Sequence, residues 1–283
     1  MSDVLRIGDR FGDYSVRALL GVGGSAEVYL AEDAVREELV ALKVAVAGDD
    51  EVRRRFRNEI VIAGGLRHPN IAPIYGHGEW EAMLWLAYPY FPGGCAGELV
   101  ARPSGGIEIA RVLRVLAGVA DALDYLHGLE LVHLDVKPTN MLVGEGDSGV
   151  LTDFGIARGW TGPRSRAPVG VGSLPYAAPE VLAGAAPTPA ADQYSLACSA
   201  IEFLTGHPPF PLPSRRAVLT AHLRSAPPDV SWRRPWIPHA VDSILAKSLA
   251  KRPEARYASC AEPIRLITRA LRDADPPRLR PNR

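Results

Sequence analysis

Residues 11 to 47 run as short β-branched and apolar stretches separated by glycine turns, an alternation that predicts antiparallel strands. From Asp50 to Leu66 the chain turns charged and takes on a helical pattern. The runs near Ile71 to Tyr75 and Met83 to Tyr90 read again as strands, which brings the expected count in the amino-terminal part to five. After Phe91-Pro92-Gly93-Gly94 the period changes. Val112, Val115, Leu116, Val119, Leu123 and Leu126 fall at spacings of three, four and seven on one buried helical face, with Gly128 placed to end it. Leu129 to Val132 is a short apolar run, and Met141 to Val143 would pair with Val150 to Thr152 around the glycine-rich stretch from Gly144 to Gly149. The pattern is α+β: a five-stranded antiparallel portion carrying one helix, then a mainly α portion.

Composition narrows the class. A chain of 283 residues that is 47% hydrophobic can bury a sizeable core, as one large domain or two lobes. Lys+Arg and Asp+Glu are equal at 32, so no global field draws the chain toward nucleic acid or an anionic membrane. Cys95, Cys198 and Cys260 are odd in number and widely spaced, which fits a reduced compartment better than a disulfide framework or a zinc site. No apolar run reaches the roughly 18 residues of a membrane span, and Met1-Ser2-Asp3 does not open a signal peptide. The chain therefore reads as cytoplasmic. Residues 273 to 283, with three prolines among charges, read as a disordered tail or the start of a linker.

The chemistry concentrates in His133-Leu134-Asp135-Val136-Lys137-Pro138-Thr139-Asn140 and, a hairpin later, Asp153-Phe154-Gly155. A carboxylate, a lysine and an amide within six residues, followed by an aspartate at the end of the next apolar run, describe metal-assisted phosphoryl transfer. Upstream, Gly21-Val22-Gly23-Gly24-Ser25-Ala26-Glu27-Val28 lies between two strand-like runs, where glycines allow close backbone approach to phosphates. By itself such a stretch is usually only a turn, and Ala26 replaces the last glycine of G-x-G-x-x-G. Because a strand ending Val40-Ala41-Leu42-Lys43 follows instead of a helix, the dinucleotide-binding reading loses ground. Lysine is scarce in this chain, so Lys43 and Lys137 gain weight at motif positions.

In this order the motifs resemble those of the bacterial eukaryotic-type (Hanks-type) serine/threonine protein kinases, from Phe11 to about Leu271. The resemblance extends to Gly172-Ser173-Leu174-Pro175-Tyr176-Ala177-Ala178-Pro179-Glu180, Asp192-Gln193-Tyr194-Ser195-Leu196 and Lys251-Arg252-Pro253-Glu254-Ala255-Arg256-Tyr257. It implies the bilobal kinase fold, with a kinase domain over 11–272, its N-lobe at 11–91 and C-lobe at 92–272. Residues 1–10 are then an extension. It implies ATP and Mg2+, or Mn2+ in its place, as cofactors, with Asp153 and Asn140 as metal ligands. Asp135 would orient and deprotonate the attacking hydroxyl, Lys137 would neutralise the γ-phosphate, and Lys43 would hold the α- and β-phosphates, aimed by Glu59. Gly21, Val22, Gly23 and Gly24 would line the phosphates. Val28, Ala41 and Leu142 would pack on adenine, and the Pro89 carbonyl and Phe91 N–H would bond it. Tyr88 would stand behind the adenine and narrow the pocket there. Glu180 and Arg256 would form a buried ion pair, and Asp192 would accept bonds from the catalytic-loop backbone; both roles are architectural.

The implied partner is a protein substrate with serine or threonine acceptors, without nucleic acid or a membrane span, and a homodimer is compatible with the resemblance. Lys137 and Ala178-Pro179-Glu180 weigh against a small-molecule kinase of the same fold. A pseudokinase scaffold would lack Lys43, Asp135 or Asp153, and all three are present. Leu134 departs from the family, where arginine usually contacts a phosphate on the activation segment. Activity would then not depend on phosphorylation of Thr161, Ser165 or Ser173. The acid-free segment from Ile156 to Ala178, with Arg158, Arg164 and Arg166, would either attract an acidic substrate or a phosphorylated neighbour, or remain a solvated loop.

Overall fold

The computed structural model describes residues 4–23, 26–46, 50–101, 107–160 and 173–276. It divides into two compact units, Met1–Pro92 with Asp153–Gly155, and Gly93–Thr152 with Ile156–Arg283.

In the first unit, β1 (Arg10–Phe11), β2 (Tyr14–Val22), β3 (Glu27–Asp33), β4 (Glu38–Val46), β5 (Gly76–Trp80) and β6 (Met83–Pro89) form one antiparallel sheet in the order β1-β2-β3-β4-β6-β5. Helix α1 spans Asp50–Ala63. The period of two separates the faces. Tyr14, Val16, Tyr29, Ala31, Val40, Leu42, Val44 and Ala87 make one buried cluster, completed by Leu5 and Phe11. Residues ahead of the first strand thus help to close this core: the Val4 N–H donates to Glu27 Oε2 (2.8 Å) and the Leu5 N–H to the Tyr29 hydroxyl (2.9 Å). Cross-strand pairing sets Leu30, Ala41 and Tyr88 in one row and Val28, Lys43 and Leu86 in the next. These rows lie on the opposite face, where Lys43 and Tyr88 meet α1.

Two features of the sheet differ from expectation. Among the described residues it has six strands, because the two-residue β1 pairs with β2. The strand before β6 is Gly76–Trp80 and not 71–75. Pro73 has no N–H to give a ladder. Opposite β5, the Trp85 indole lies so close that a Cβ on Gly78 would stand 2.9 Å from its Nε1. Glycine is required there for the ring to cover the strand.

The second unit is mainly helical: α2 (Ile109–Gly128), α3 (Pro179–Leu182), α4 (Pro189–Thr205), α5 (Arg215–Arg224), α6 (Val230–Arg233), α7 (His239–Ser248) and α8 (Ala261–Ala270). It also holds two small pairs, β7 (Leu131–Val132) with β10 (Arg158–Gly159), and β8 (Met141–Val143) with β9 (Gly149–Leu151). All six apolar positions expected on the α2 face are buried. Gly128 closes that helix without a left-handed φ; the chain reverses at Glu130 (φ +59). Gly149 is where β9 meets α2, since a Cβ there would fall 2.0 Å from the Val115 carbonyl oxygen. Nearly every residue of α4 is buried, as expected of a helix covered on all sides.

Candidate active site

The segment between β7 and β8 carries the catalytic-loop motif, and α4 holds it from beneath. Asp192 is fully buried on the first turn of α4. Its Oδ2 accepts the His133 N–H at 2.8 Å and its Oδ1 the Leu134 N–H at 2.8 Å, while His127 Nε2 lies 2.8 Å from Oδ2. Burial alone would raise the Asp192 pKa, but the His127 contact and the backbone donor outweigh it, so the carboxyl stays below its ordinary range. This grip has a conformational consequence. Leu134 sits at φ +67, a left-handed conformation costly for a leucine, and is held there by the bond at its own N–H.

Beyond Leu134 the chain presents Asp135 to a ring of donors. Lys137 Nζ donates to Asp135 Oδ2 at 2.8 Å and Asn140 Nδ2 to the same oxygen at 3.0 Å, while the Ser173 N–H reaches Oδ1 at 3.1 Å. Asn140 Nδ2 also donates to the Asp135 carbonyl at 2.9 Å. Lys137 Nζ is 2.9 Å from Ser173 Oγ, so one ammonium touches both a carboxylate and a hydroxyl. Leu142, on β8, is half-buried.

The first unit builds a second cluster. Lys43 Nζ on β4 donates to Glu59 Oε2 on α1 at 2.8 Å and lies 3.2 Å from Asp153 Oδ1. Burial by itself would depress the lysine, but Glu59 and Asp153 more than compensate, and its pKa is raised. Lys43 is therefore a fixed cation at neutral pH. Asp153 stands at φ +68. The Phe154 and Gly155 carbonyls that follow both accept from Asn58 Nδ2, at 3.0 and 3.1 Å, so α1 anchors this turn. Gly21, Val22 and Gly23 lie at the end of β2 and just past it, and the Gly23 N–H closes on the Ala26 carbonyl at 2.8 Å. Val28 and Ala41 are half-buried on the face of the sheet that bears Lys43, and Pro89 ends β6 with Phe91 two residues on. Gly24, Thr161, Arg164, Ser165 and Arg166 lie outside the described residues.

These two constellations are what a protein kinase would need, and a family model for the protein kinase domain matches residues 14–265. The chain belongs to the protein kinase family. The kinase is similar to serine/threonine-protein kinase PknJ of Mycobacterium bovis, at 40% identity over 273 residues that cover 93% of this chain and 46% of that protein. It is 37% identical over 274 residues to PknH and to PknE of the same organism, covering 95% of this chain and 46% and 48% of those proteins. The chain spans about half the length of the curated relatives it matches. Its place is in the bacterial Hanks-type serine/threonine branch.

Kinases of this family use ATP with a divalent metal, and the donor set here fits a hard cation. The Asp153 carboxylate is 40% exposed, and Asn140, with its amide nitrogen turned to Asp135, would have only its carbonyl oxygen to offer a cation. Carboxylate and amide oxygens suit magnesium. The sequence missed three contributors: Ser173 against Asp135, Asn58 under the Asp-Phe-Gly turn, and the Tyr88 hydroxyl on Glu59. Only Ser173 had a local signal, a hydroxyl in the segment leading to Ala178-Pro179-Glu180.

Proposed function

We propose that this kinase domain, over residues 11–272, transfers the γ-phosphoryl group of ATP to serine or threonine hydroxyls of proteins, itself included. The observation that carries the reading is the Asp135 carboxylate bound by Lys137, Asn140 and the Ser173 N–H, all within 3.1 Å. Such a carboxylate is fixed in direction, so it can align an incoming hydroxyl and take its proton late, when bond formation has made it acidic. Lys137, with one bond already to a hydroxyl, is suited to offset charge on the γ-phosphate. Lys43 would meet the α- and β-phosphates. Asp153 and Asn140 would hold magnesium or manganese, which when bound offsets the charge that develops on the transferred group. The backbone of Gly21 to Gly24 would line the phosphates, Val28, Ala41 and Leu142 would pack on adenine, and Pro89 and Phe91 would bond its edge.

Acceptor identity is the test. Label from γ-labelled ATP should appear in phosphoserine and phosphothreonine of the chain and of a basic carrier protein. Label only in phosphotyrosine, or only in a small molecule, would overturn the assignment.

Leu134 is buried and apolar, with no group to pair with a phosphate on the activation segment. Phosphatase-treated protein should therefore keep its initial rate on a peptide, within about twofold; loss of most of the rate would refute this independence. Cys95, Cys198 and Cys260 are all free thiols, which supports a reducing, cytoplasmic setting. Among the described residues no helix is long and apolar enough to cross a membrane. Protein substrates are the proposed partners, with a homodimer of the domain as a further one.

A further inference from the structure

We propose that the Tyr88 hydroxyl is a positioning group for phosphoryl transfer: by satisfying one oxygen of Glu59, it holds the other on Lys43 and so fixes the ammonium that the nucleotide phosphates meet. The proposal deepens the kinase reading and rests on it for the role of Lys43.

Glu59 is 1% exposed, so water cannot serve its carboxylate. The two oxygens divide their donors. Oε2 takes Lys43 Nζ at 2.8 Å, and Oε1 takes the Tyr88 hydroxyl at 2.5 Å. Both donors come from one rigid surface, since Ala41 pairs with Tyr88 and Lys43 with Leu86 across β4 and β6. The carboxylate is thus pinned at two points by adjacent strands and cannot rotate away from Lys43 without breaking a bond. A single ammonium contact would leave that rotation open.

The composition of α1 makes the second point matter. Its buried residues are Val52, Phe56, Ala63 and Glu59 itself, a narrow apolar stripe on a helix otherwise dense in arginine. Such a helix is placed by its polar anchors as much as by apolar contact, and Glu59 is the buried one that reaches the sheet. Tyr88 is 6% exposed. Burial first, and then the Glu59 charge, push its phenol well above the ordinary value, so it remains a donor across the physiological range. Phenylalanine would keep the ring and leave Glu59 Oε1 without a partner.

The test separates phosphate recognition from ring shape. Affinities of the wild-type chain and of Tyr88→Phe are measured for ADP and for adenosine by calorimetry, with no added metal. Tyr88→Phe should bind adenosine within about twofold of wild type and ADP roughly ten- to a hundredfold more weakly, as befits one lost hydrogen bond to a charged partner. In a Glu59→Gln background the same substitution should leave the ADP to adenosine ratio unchanged. Parallel losses for both ligands, no loss for either, or an undiminished effect in the Glu59→Gln background would overturn the proposal. Retained adenosine binding shows that the variant is folded. Neither ligand carries a γ-phosphate, so the outcome stands independently of whether wild type transfers phosphate.

Discussion

Asp135→Asn is expected to lower phosphotransfer by roughly 10²–10⁴-fold, the range of a positioned acid–base group, while nucleotide affinity stays within about twofold. The asymmetry follows from the geometry. Asn140 Nδ2 bonds the Asp135 backbone carbonyl as well as its side chain, so the loop keeps one anchor when the carboxylate becomes an amide. The Leu134 and His133 N–H groups remain on Asp192. What changes is the charge that Lys137 and the Ser173 N–H face, and the ability to accept a proton from a hydroxyl. Single-turnover transfer and nucleotide titration on the same preparation check both halves. An Asn variant that kept transfer would remove Asp135 from the chemistry.

Glu180→Ala should destabilise the fold by about 3–5 kcal/mol, the cost of leaving a buried charge alone. Arg256 is fully buried and its pairing with Glu180 is two-pronged, with Nη1 to Oε1 at 2.7 Å and Nη2 to Oε2 at 2.8 Å. Its remaining donors reach the Ala190 and Ala250 carbonyls, both at 2.8 Å, and the Lys251 carbonyl at 3.4 Å. Removing Glu180 leaves the guanidinium in place, still bound to neutral carbonyls but with no counter-charge. For a chain of this size the melting temperature should fall by on the order of 10 °C. Glu180→Gln keeps part of the hydrogen bonding and should fall between the two. Equal melting temperatures for Glu180→Ala and wild type would show that the pair contributes nothing.

The elements that the sequence reveals are those whose burial is periodic. Val112 to Leu126 announce α2 because one face repeats at helical spacing, β3 and β4 show the period of two, and β6 shows as a short continuous apolar run, Met83 to Pro89. β5 stays hidden because Gly76-His77-Gly78 has no strand propensity of its own; its place depends on Trp85, a partner on another strand. β1 is too short to carry a period. At the site, motif spacing brings out Asp135, Lys137, Asn140 and Asp153, since all lie within one stretch of chain. Glu59 is legible only through its distance to His68-Pro69. The hydrogen bond from Tyr88 to Glu59 joins residues 29 apart, and that from Ser173 to Asp135 joins residues 38 apart. Contacts of that separation are fixed by the fold, and no local pattern encodes them.

In the proposed function Lys43, Glu59, Asp135 and Asp153 serve phosphoryl transfer and not nucleotide binding alone. The most direct measurement is transfer of label from γ-labelled ATP with magnesium, by wild type and by Lys43→Met, to the chain itself and to a basic carrier protein. Robust labelling by wild type, reduced to background in Lys43→Met, is the predicted result. Equal labelling by both, or none by a wild-type chain that binds ATP, would remove these residues from the transfer chemistry.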